Sequence, residues 1–66
     1  MTVMVNGEPR EVGGDATIAG VVATVIDAPS GVAVALNGDV IARGDWETTR
    51  LDDGDRLEVL TAVQGG

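Results

Sequence analysis

The 66 residues, 44% of them apolar, suffice for one small globular domain and argue against a disordered chain. Eleven acidic residues against four basic ones give a net charge of −7, which argues against nucleic acid as a partner because binding it depends on basic surface charge. The same charge fits either a protein partner with a basic face or a role in solubility alone.

The first predicted elements form a β-hairpin. Residues 2–6 read TVMVN, a short run of strand-forming residues, and Asn6-Gly7 is the dipeptide preferred in a two-residue hairpin turn. A second strand follows at residues 8–12. Because Pro9 has no backbone N–H, we expect this strand at an edge of the sheet.

A helix is predicted after the hairpin, with Thr17 as its N-cap. One face carries apolar residues at helical spacing, namely Ile18, Val21, Val22, Val25 and Ile26. The helix is intrinsically weak because it is rich in β-branched residues and has Gly20 where a capping-box Glu would help, so packing on a sheet must stabilise it. Residues 29–31, Pro-Ser-Gly, are expected to end it.

The second half of the chain predicts another hairpin and a last strand. Residues 32–36 alternate Val and Ala, and a second Asn-Gly pair, Asn37-Gly38, turns the chain into Val40 and Ile41. Residues 42–51 are irregular and polar, and residues 52–55 form a turn. The last strand is predicted at 56–63, with Leu57 and Val59 on one of its faces.

The order of elements defines the predicted fold. A helix and a sheet each have one apolar face to cover, so one sheet packed on one helix is the economical arrangement. A right-handed crossover places the last strand parallel to the first, at the centre of the sheet. The prediction is an α+β β-grasp fold, with a mixed sheet of four to five strands on one helix. Residues 1–63 form the domain and residues 64–66 a flexible tail.

The last two residues carry the main functional hypothesis. Gly65 and Gly66 directly follow the last apolar run. Because glycine has no side chain, a Gly-Gly end with a free carboxylate is slender enough to enter a narrow channel. The alternative is an ordinary frayed terminus.

The remaining candidates indicate a protein without catalytic residues of its own. The chain has no His, Cys, Lys or Tyr, so the usual general bases and activated nucleophiles are missing. Asp52, Asp53 and Asp55 lack the full pattern of a calcium loop, so we expect a solvated turn and no metal. Trp46 is expected to pack over an edge of the core instead of contacting a partner.

Three absences favour a cytoplasmic location. No apolar run approaches the ~20 residues that span a bilayer, so no membrane contact is expected. The start of the chain lacks a basic region leading into an apolar stretch. The lack of Cys fits a reducing compartment.

Five stretches in this order resemble the ThiS family, the small ubiquitin-like sulfur carriers of thiamin biosynthesis. The stretches are VNGE at 5–8, AVALNGDVI at 33–41, Arg43 with Trp46, LDDGDRLEV at 51–59 and TAVQGG at 61–66. The resemblance covers nearly the whole chain. It departs from the family pattern at Gly20, where such carriers tend to have an acidic residue, and at Gly44, which replaces a longer side chain.

The resemblance implies a reaction at Gly66. An adenylating enzyme related to ubiquitin activators would use ATP and magnesium to make the acyl-adenylate of Gly66, and a persulfide donor would then supply the sulfur. The resulting thiocarboxylate would donate its sulfur to thiazole synthase for thiazole formation. The chain itself would bind no cofactor, and Gln64 and Gly65 would thread with Gly66 into both partners.

The folded body must offset the entropy lost when the tail is ordered. We expect a docking patch on the exposed sheet face near the tail, with Leu60 and Val63 as candidates, because Leu60 is apolar yet out of phase with Leu57 and Val59. A strand covered on both faces, or a bulge, would explain Leu60 equally well.

Two other functions remain open. One is a sulfur carrier for molybdopterin, cysteine or a secondary metabolite, and the other is a non-catalytic β-grasp interaction module or a protein modifier conjugated to lysines.

Overall fold

A computed structural model describes residues 1–26 and 31–61 of the chain. Within these ranges the chain forms a five-stranded sheet, one α-helix and one short 3-10 helix. The elements are β1 (Thr2–Val5), β2 (Glu8–Glu11), α1 (Ile18–Val25), β3 (Val32–Leu36), β4 (Asp39–Ile41), the 3-10 helix (Arg43–Asp45) and β5 (Arg56–Thr61). The predicted order of hairpin, helix, hairpin, crossover and strand is confirmed.

Both hairpins turn at their Asn-Gly pairs. Asn6 and Asn37 each have a φ of 51°, and the glycines that follow them have φ values of 83° and 91°. Two successive residues with positive φ match the right-handed twist of the flanking strands, and Asn and Gly adopt this conformation at least cost. The turn chemistry therefore fixes the register of both hairpins.

The sheet has the strand order β2-β1-β5-β3-β4. β5 runs parallel to β1 and antiparallel to β3, so the last strand lies at the centre of the sheet, as predicted. β2 lies at an edge, and this confirms the prediction made from Pro9. Pro9 lies opposite Met4, and because it has no N–H it offers no donor to a further strand.

The core lies between the helix and one face of the sheet. It consists of residues from β1, α1, β3, β5 and the crossover: Val3, Val5, Ile18, Val21, Val22, Val34, Trp46, Leu51, Leu57 and Val59. Among the described residues this core contains no buried polar or charged side chain. Within the described residues, α1 and the crossover cover this one face of the sheet.

The crossover between β4 and β5 supports the start of α1. Thr17 is the N-cap, as predicted, and its side-chain oxygen accepts a hydrogen bond from the backbone N–H of Gly20 at 3.2 Å. The N–H groups of Ile18 and Ala19 donate to the carbonyls of Thr49 and Trp46, at 3.0 and 3.1 Å. The crossover thus satisfies donors that a helix cannot satisfy within its first turn. This is how a helix of weak propensity is held in place.

Two predicted boundaries differ from the structure or fall outside the residues it describes. The helix end predicted at 29–31 is wrong, because α1 ends at Val25 and Ile26, predicted on its apolar face, is an extended C-cap. β5 reaches Thr61, and the rest of the strand predicted to residue 63, together with the domain boundary at 63/64, lies outside the described residues. No helix in the described ranges has the length and apolar character to cross a membrane.

Candidate functional site

β5 is the element that leads to the C-terminal residues. Its side chains alternate between the two faces of the sheet: Leu57 and Val59 are buried beneath α1, whereas Arg56, Glu58 and Leu60 are exposed on the opposite face. Successive residues of a strand point to opposite faces, so the pattern follows directly from the sequence. The opposite face of the sheet is called the outer face below.

Leu60 is an apolar side chain on the outer face with 63% of its surface exposed. It pairs in regular register with Ala33 of β3, and the neighbouring pair of Val34 with Val59 continues the same ladder. No bulge is present there, and none of the described residues covers Leu60 from the outer face. Both alternative explanations of the Leu60 phase are therefore wrong.

Further apolar residues adjoin Leu60 on the outer face. Val40 on β4 is 79% exposed and lies opposite Ala35, which in turn lies opposite Glu58. We define the outer apolar patch as Ala33, Ala35, Val40 and Leu60. Val40 and Leu60 are the large hydrophobic side chains that the described part of the chain leaves exposed, and clustering of such residues marks interaction surfaces more often than isolated ones do.

A concavity of about 420 Å³ lies at the start of β5, next to the outer apolar patch. It is lined by Met4, Gly7, Gly38, Arg56, Leu57 and Glu58. Arg56 and Glu58, which carry opposite charges, both line the concavity. The concavity therefore offers a partner both a hydrogen-bond donor and an acceptor.

Four of the five predicted site residues follow β5 in the chain. Val63, Gln64, Gly65 and Gly66 all fall within residues 62–66, outside the described part of the chain. Of the predicted site residues the structure therefore places Leu60, on the outer face and one residue before the last described position. β5 precedes these residues directly in the chain, since it ends at Thr61.

Trp46 is part of the core and does not present its ring to solvent. Its side chain is 4% exposed, and its Nε1–H donates to the carbonyl of Ile41 at 3.0 Å. The guanidinium of Arg43 lies 5.1 Å from the ring centroid, within range of a cation–π contact. The prediction that Trp46 packs against the core is confirmed.

The aspartates of residues 52–55 bond to backbone groups of the turn and of β1. Asp55 Oδ2 accepts from the N–H of Asp52 at 2.7 Å, a local bond that is typical of Asp in turns. Asp53 Oδ1 accepts from the backbone N–H of Thr2 at 2.8 Å and so connects the turn to β1. Across residues 1–26 and 31–61, no group of three or more acidic side chains is placed to hold a metal ion.

Two residues that the sequence identified only as turn formers also bind β5. Asn6 exchanges two hydrogen bonds with the backbone of Val59, and Asn37 accepts from the backbone N–H of Arg56. The sequence does contain a signal, because an aliphatic residue, Asn and Gly recur at 5–7 and 36–38. Nothing in that repeat shows that the amides bond to a strand 53 and 19 residues away.

In the described part of the chain, one α-helix packs on a five-stranded mixed sheet with the last strand at the centre, and this arrangement defines a ubiquitin-like β-grasp protein. The family model of the ThiS family matches residues 3–66. The chain therefore belongs to the ThiS family.

Solved structures agree with this assignment. The crystal structure of the thiamine biosynthesis protein ThiS from Geobacter metallireducens is similar, with a TM-score of 0.84, 30% identity and full coverage of both chains. A solution structure of a thiamine biosynthesis protein from the same organism gives a TM-score of 0.79 at 33% identity, and covers this whole chain and 88% of the other.

A longer protein also contains a similar segment. A thiazole synthase from Magnetococcus marinus is 33% identical over 66 residues. The match covers all of this chain but only 20% of the length of that synthase.

Proposed function

We propose that this chain is a sulfur carrier of thiamine biosynthesis, which holds sulfur as a thiocarboxylate on Gly66 and acts in the cytoplasm. The observation that carries the proposal is the ThiS family match, which runs from residue 3 through the final Gly-Gly pair. The similarity to two solved thiamine biosynthesis proteins over this whole chain supports it.

The chemistry requires activation of the Gly66 carboxylate. A carboxylate is anionic and resonance-stabilised, so one oxygen must first become a leaving group. Attack of the carboxylate on the α-phosphate of ATP gives an acyl-adenylate and pyrophosphate. A persulfide sulfur then displaces AMP, and a thiol reduces the resulting acyl disulfide to leave the thiocarboxylate.

The chain supplies the acyl group, and its partners supply the catalysis. It contains no His, Cys or Lys, so it offers none of the imidazole, thiol or side-chain amine groups that usually activate such reactions. The absence of lysine has a second effect, because no side-chain amine of a carrier molecule can capture an activated Gly66. An adenylating enzyme of the ubiquitin-activator type is therefore the proposed first partner, with ATP and magnesium bound by that enzyme.

Thiazole synthase is the proposed acceptor of the sulfur. The Magnetococcus marinus protein of that name includes a segment similar to this entire chain within a much longer polypeptide. A carrier-like segment and a synthase in one polypeptide support a functional association between the two.

The outer apolar patch is the proposed docking face for both partners. Leu60 lies six residues before Gly66 and is exposed, so a partner that covers it also lies beside the start of the tail. Val63, outside the described residues, is the second proposed docking residue, and Gln64 and Gly65 would thread into the partner's site. Burial of Leu60 would contribute about 1.5–3 kcal/mol to offset the ordering of these residues.

The test is the intact mass of the carrier after reaction. Incubation with the adenylating enzyme of the same organism, ATP, magnesium, a persulfide donor and a thiol reductant should raise the mass by about 16 Da, because one oxygen is exchanged for one sulfur. The mass before reaction must correspond to a chain that ends at Gly66. A variant with one Ala appended after Gly66 is the control, and it should fold normally by circular dichroism yet gain no mass. An unchanged mass of the unmodified carrier, with an enzyme shown to be active, would reject the proposal.

A further inference from the structure

Asn6 takes the place of a missing strand residue beside β5. The parallel ladder between β1 and β5 ends at the pair of Val5 and Leu57, because β1 turns away at Asn6-Gly7 while β5 continues to Thr61. The side chain of Asn6 continues the pairing. Its Oδ1 accepts from the N–H of Val59 at 2.8 Å, and its Nδ2 donates to the carbonyl of Val59 at 3.2 Å.

Asn37 has the equivalent position at the other end of β5. It also has a φ of 51° in a two-residue turn, and its Oδ1 accepts from the N–H of Arg56 at 3.0 Å. Its Nδ2 donates to Asp55 Oδ1 at 3.0 Å. The two asparagines therefore hold opposite ends of one strand, and Asn6 is the one at the end that leads to the C-terminal residues.

The turn alone does not require the amide of Asn6. Glycine adopts a φ of 51° without strain, so it would serve the turn equally well. An amide is the side chain that offers both an acceptor and a donor to one residue of a neighbouring strand. Both bonds are partly buried, and loss of the amide would leave the N–H and carbonyl of Val59 without these partners.

We propose that Asn6 is a positioning residue for the reaction at Gly66. By fixing both backbone groups of Val59, seven residues before Gly66, it holds the β1-facing side of β5, whose other side is paired with β3 as far as Thr61. It thereby restricts the strand that leads to Gly66. A carrier without this amide has more conformations available at the end of β5, and its partner must order them on docking. This inference rests on the proposed function.

The matched pair of variants Asn6→Gly and Asn37→Gly tests the proposal. Both keep the turn and remove the amide beside β5, so their losses of stability should be similar in thermal unfolding. Hydrogen exchange should accelerate at the Val59 amide in the first variant and at the Arg56 amide in the second. These measurements establish that each amide holds its own end of the strand.

The deciding measurement is ATP–pyrophosphate exchange by the adenylating enzyme, with the carrier concentration varied. For Asn6→Gly we expect KM for the carrier to rise about tenfold with kcat nearly unchanged. The strand must be ordered in the bound ground state as well as in the transition state, so its disorder in the free variant weakens binding but not the chemical step. Asn37→Gly should stay within about twofold of the natural carrier. Asn6→Asp keeps the acceptor for the Val59 N–H, so its KM should lie between those of the natural carrier and Asn6→Gly.

Equal KM values for Asn6→Gly and Asn37→Gly would overturn the proposal, since Asn6 would then act only on stability. If Asn6→Gly does not fold, Asn6→Asp decides by the same comparison with Asn37→Gly. Failure of the natural carrier to support any exchange has a different meaning, because it rejects the proposed function itself and the positioning role with it.

Discussion

At the scale of single residues, Trp46 connects three parts of the molecule. Its ring is buried in the core, its Nε1–H donates to Ile41 at the end of β4, and its carbonyl accepts from the N–H of Ala19 at the start of α1. It thereby fixes the crossover against both the sheet and the helix. An aromatic residue with an N–H is suited to this position because a buried indole usually finds an acceptor.

Replacement of Trp46 by Phe should destabilise the fold without abolishing it. The variant keeps most of the apolar volume but leaves the Ile41 carbonyl without its donor, for an expected loss of about 1–2 kcal/mol. Urea unfolding followed by far-UV circular dichroism measures the loss, since the variant has no tryptophan fluorescence. Trp46→Ala is the comparison and should cost about 3–5 kcal/mol, much of the roughly 3–10 kcal/mol expected for a domain of this size. A Phe variant as stable as the natural protein would contradict a structural role for the indole N–H.

At the scale of elements, α1 depends on its neighbours more than on its own sequence. It has eight residues, of which four are Val or Ile, and isolated helices of this length are marginal in water. Ile18, Val21 and Val22 are buried against the sheet. Packing on the sheet and the two hydrogen bonds to the crossover therefore stabilise α1, whose own residues have low helix propensity.

Gly20→Ala should stabilise the protein. The added Cβ would lie 3.5 Å from Thr17 Oγ1, an ordinary van der Waals contact, and alanine favours the helix by up to about 1 kcal/mol over glycine. We expect a gain of about 0.5–1 kcal/mol, seen as a rise in Tm of roughly 2–8 °C. Gly38→Ala is the matched control: its Cβ would meet no atom within 4 Å, but its φ of +91° is unfavourable for alanine, so Tm should fall. A fall in Tm for Gly20→Ala would indicate that the helix start is more crowded than its geometry shows.

The elements also show which features a local sequence pattern can predict. The two Asn-Gly turns, the edge position of Pro9 and the N-cap at Thr17 follow from the conformational preferences of one or two residues, and all were predicted. The 3-10 helix at Arg43–Asp45 was not, because its position depends on Trp46 packing into a core built by distant strands. The bonds of Asn6 to Val59 were missed because they join residues that are 53 positions apart in the chain.

The candidate site also contains one residue that the sequence identifies and one that only the fold reveals. Exposure of Leu60 follows from its phase on β5, so the sequence identified it. Val40 was predicted as a strand residue, but its 79% exposure depends on β4 being an edge strand whose outer face nothing covers among the described residues. The phase of the sequence thus identifies Leu60, and the sheet order is needed to identify Val40.

At the scale of the whole molecule, an apolar patch lies on a strongly acidic body. The net charge of −7 on 66 residues creates a negative field that acts over about 10 Å at 0.1 M salt. A field of this kind accelerates encounter with a basic surface and disfavours contact between two copies of the same chain. The patch, in contrast, acts only after contact, through burial of Leu60 and its neighbours.

The effects of the negative charge and of the outer apolar patch can be distinguished in the kinetics of activation, because only the first depends on salt. For the natural carrier, raising NaCl from about 0.05 to 0.5 M should lower kcat/KM roughly 3- to 10-fold, because charge steering is screened. Leu60→Ser should lower kcat/KM about tenfold or more at both salt concentrations, because apolar burial is insensitive to screening. Its Tm should hardly change, since Leu60 is already exposed in the free protein. Ala23→Ser, at an exposed position on α1 away from the outer face, is the control and should leave kcat/KM unchanged at both salt concentrations, although its Tm should fall slightly because Ser favours a helix less than Ala. A normal kcat/KM for Leu60→Ser would place the docking face elsewhere, and a salt-independent natural carrier would assign its charge to solubility alone.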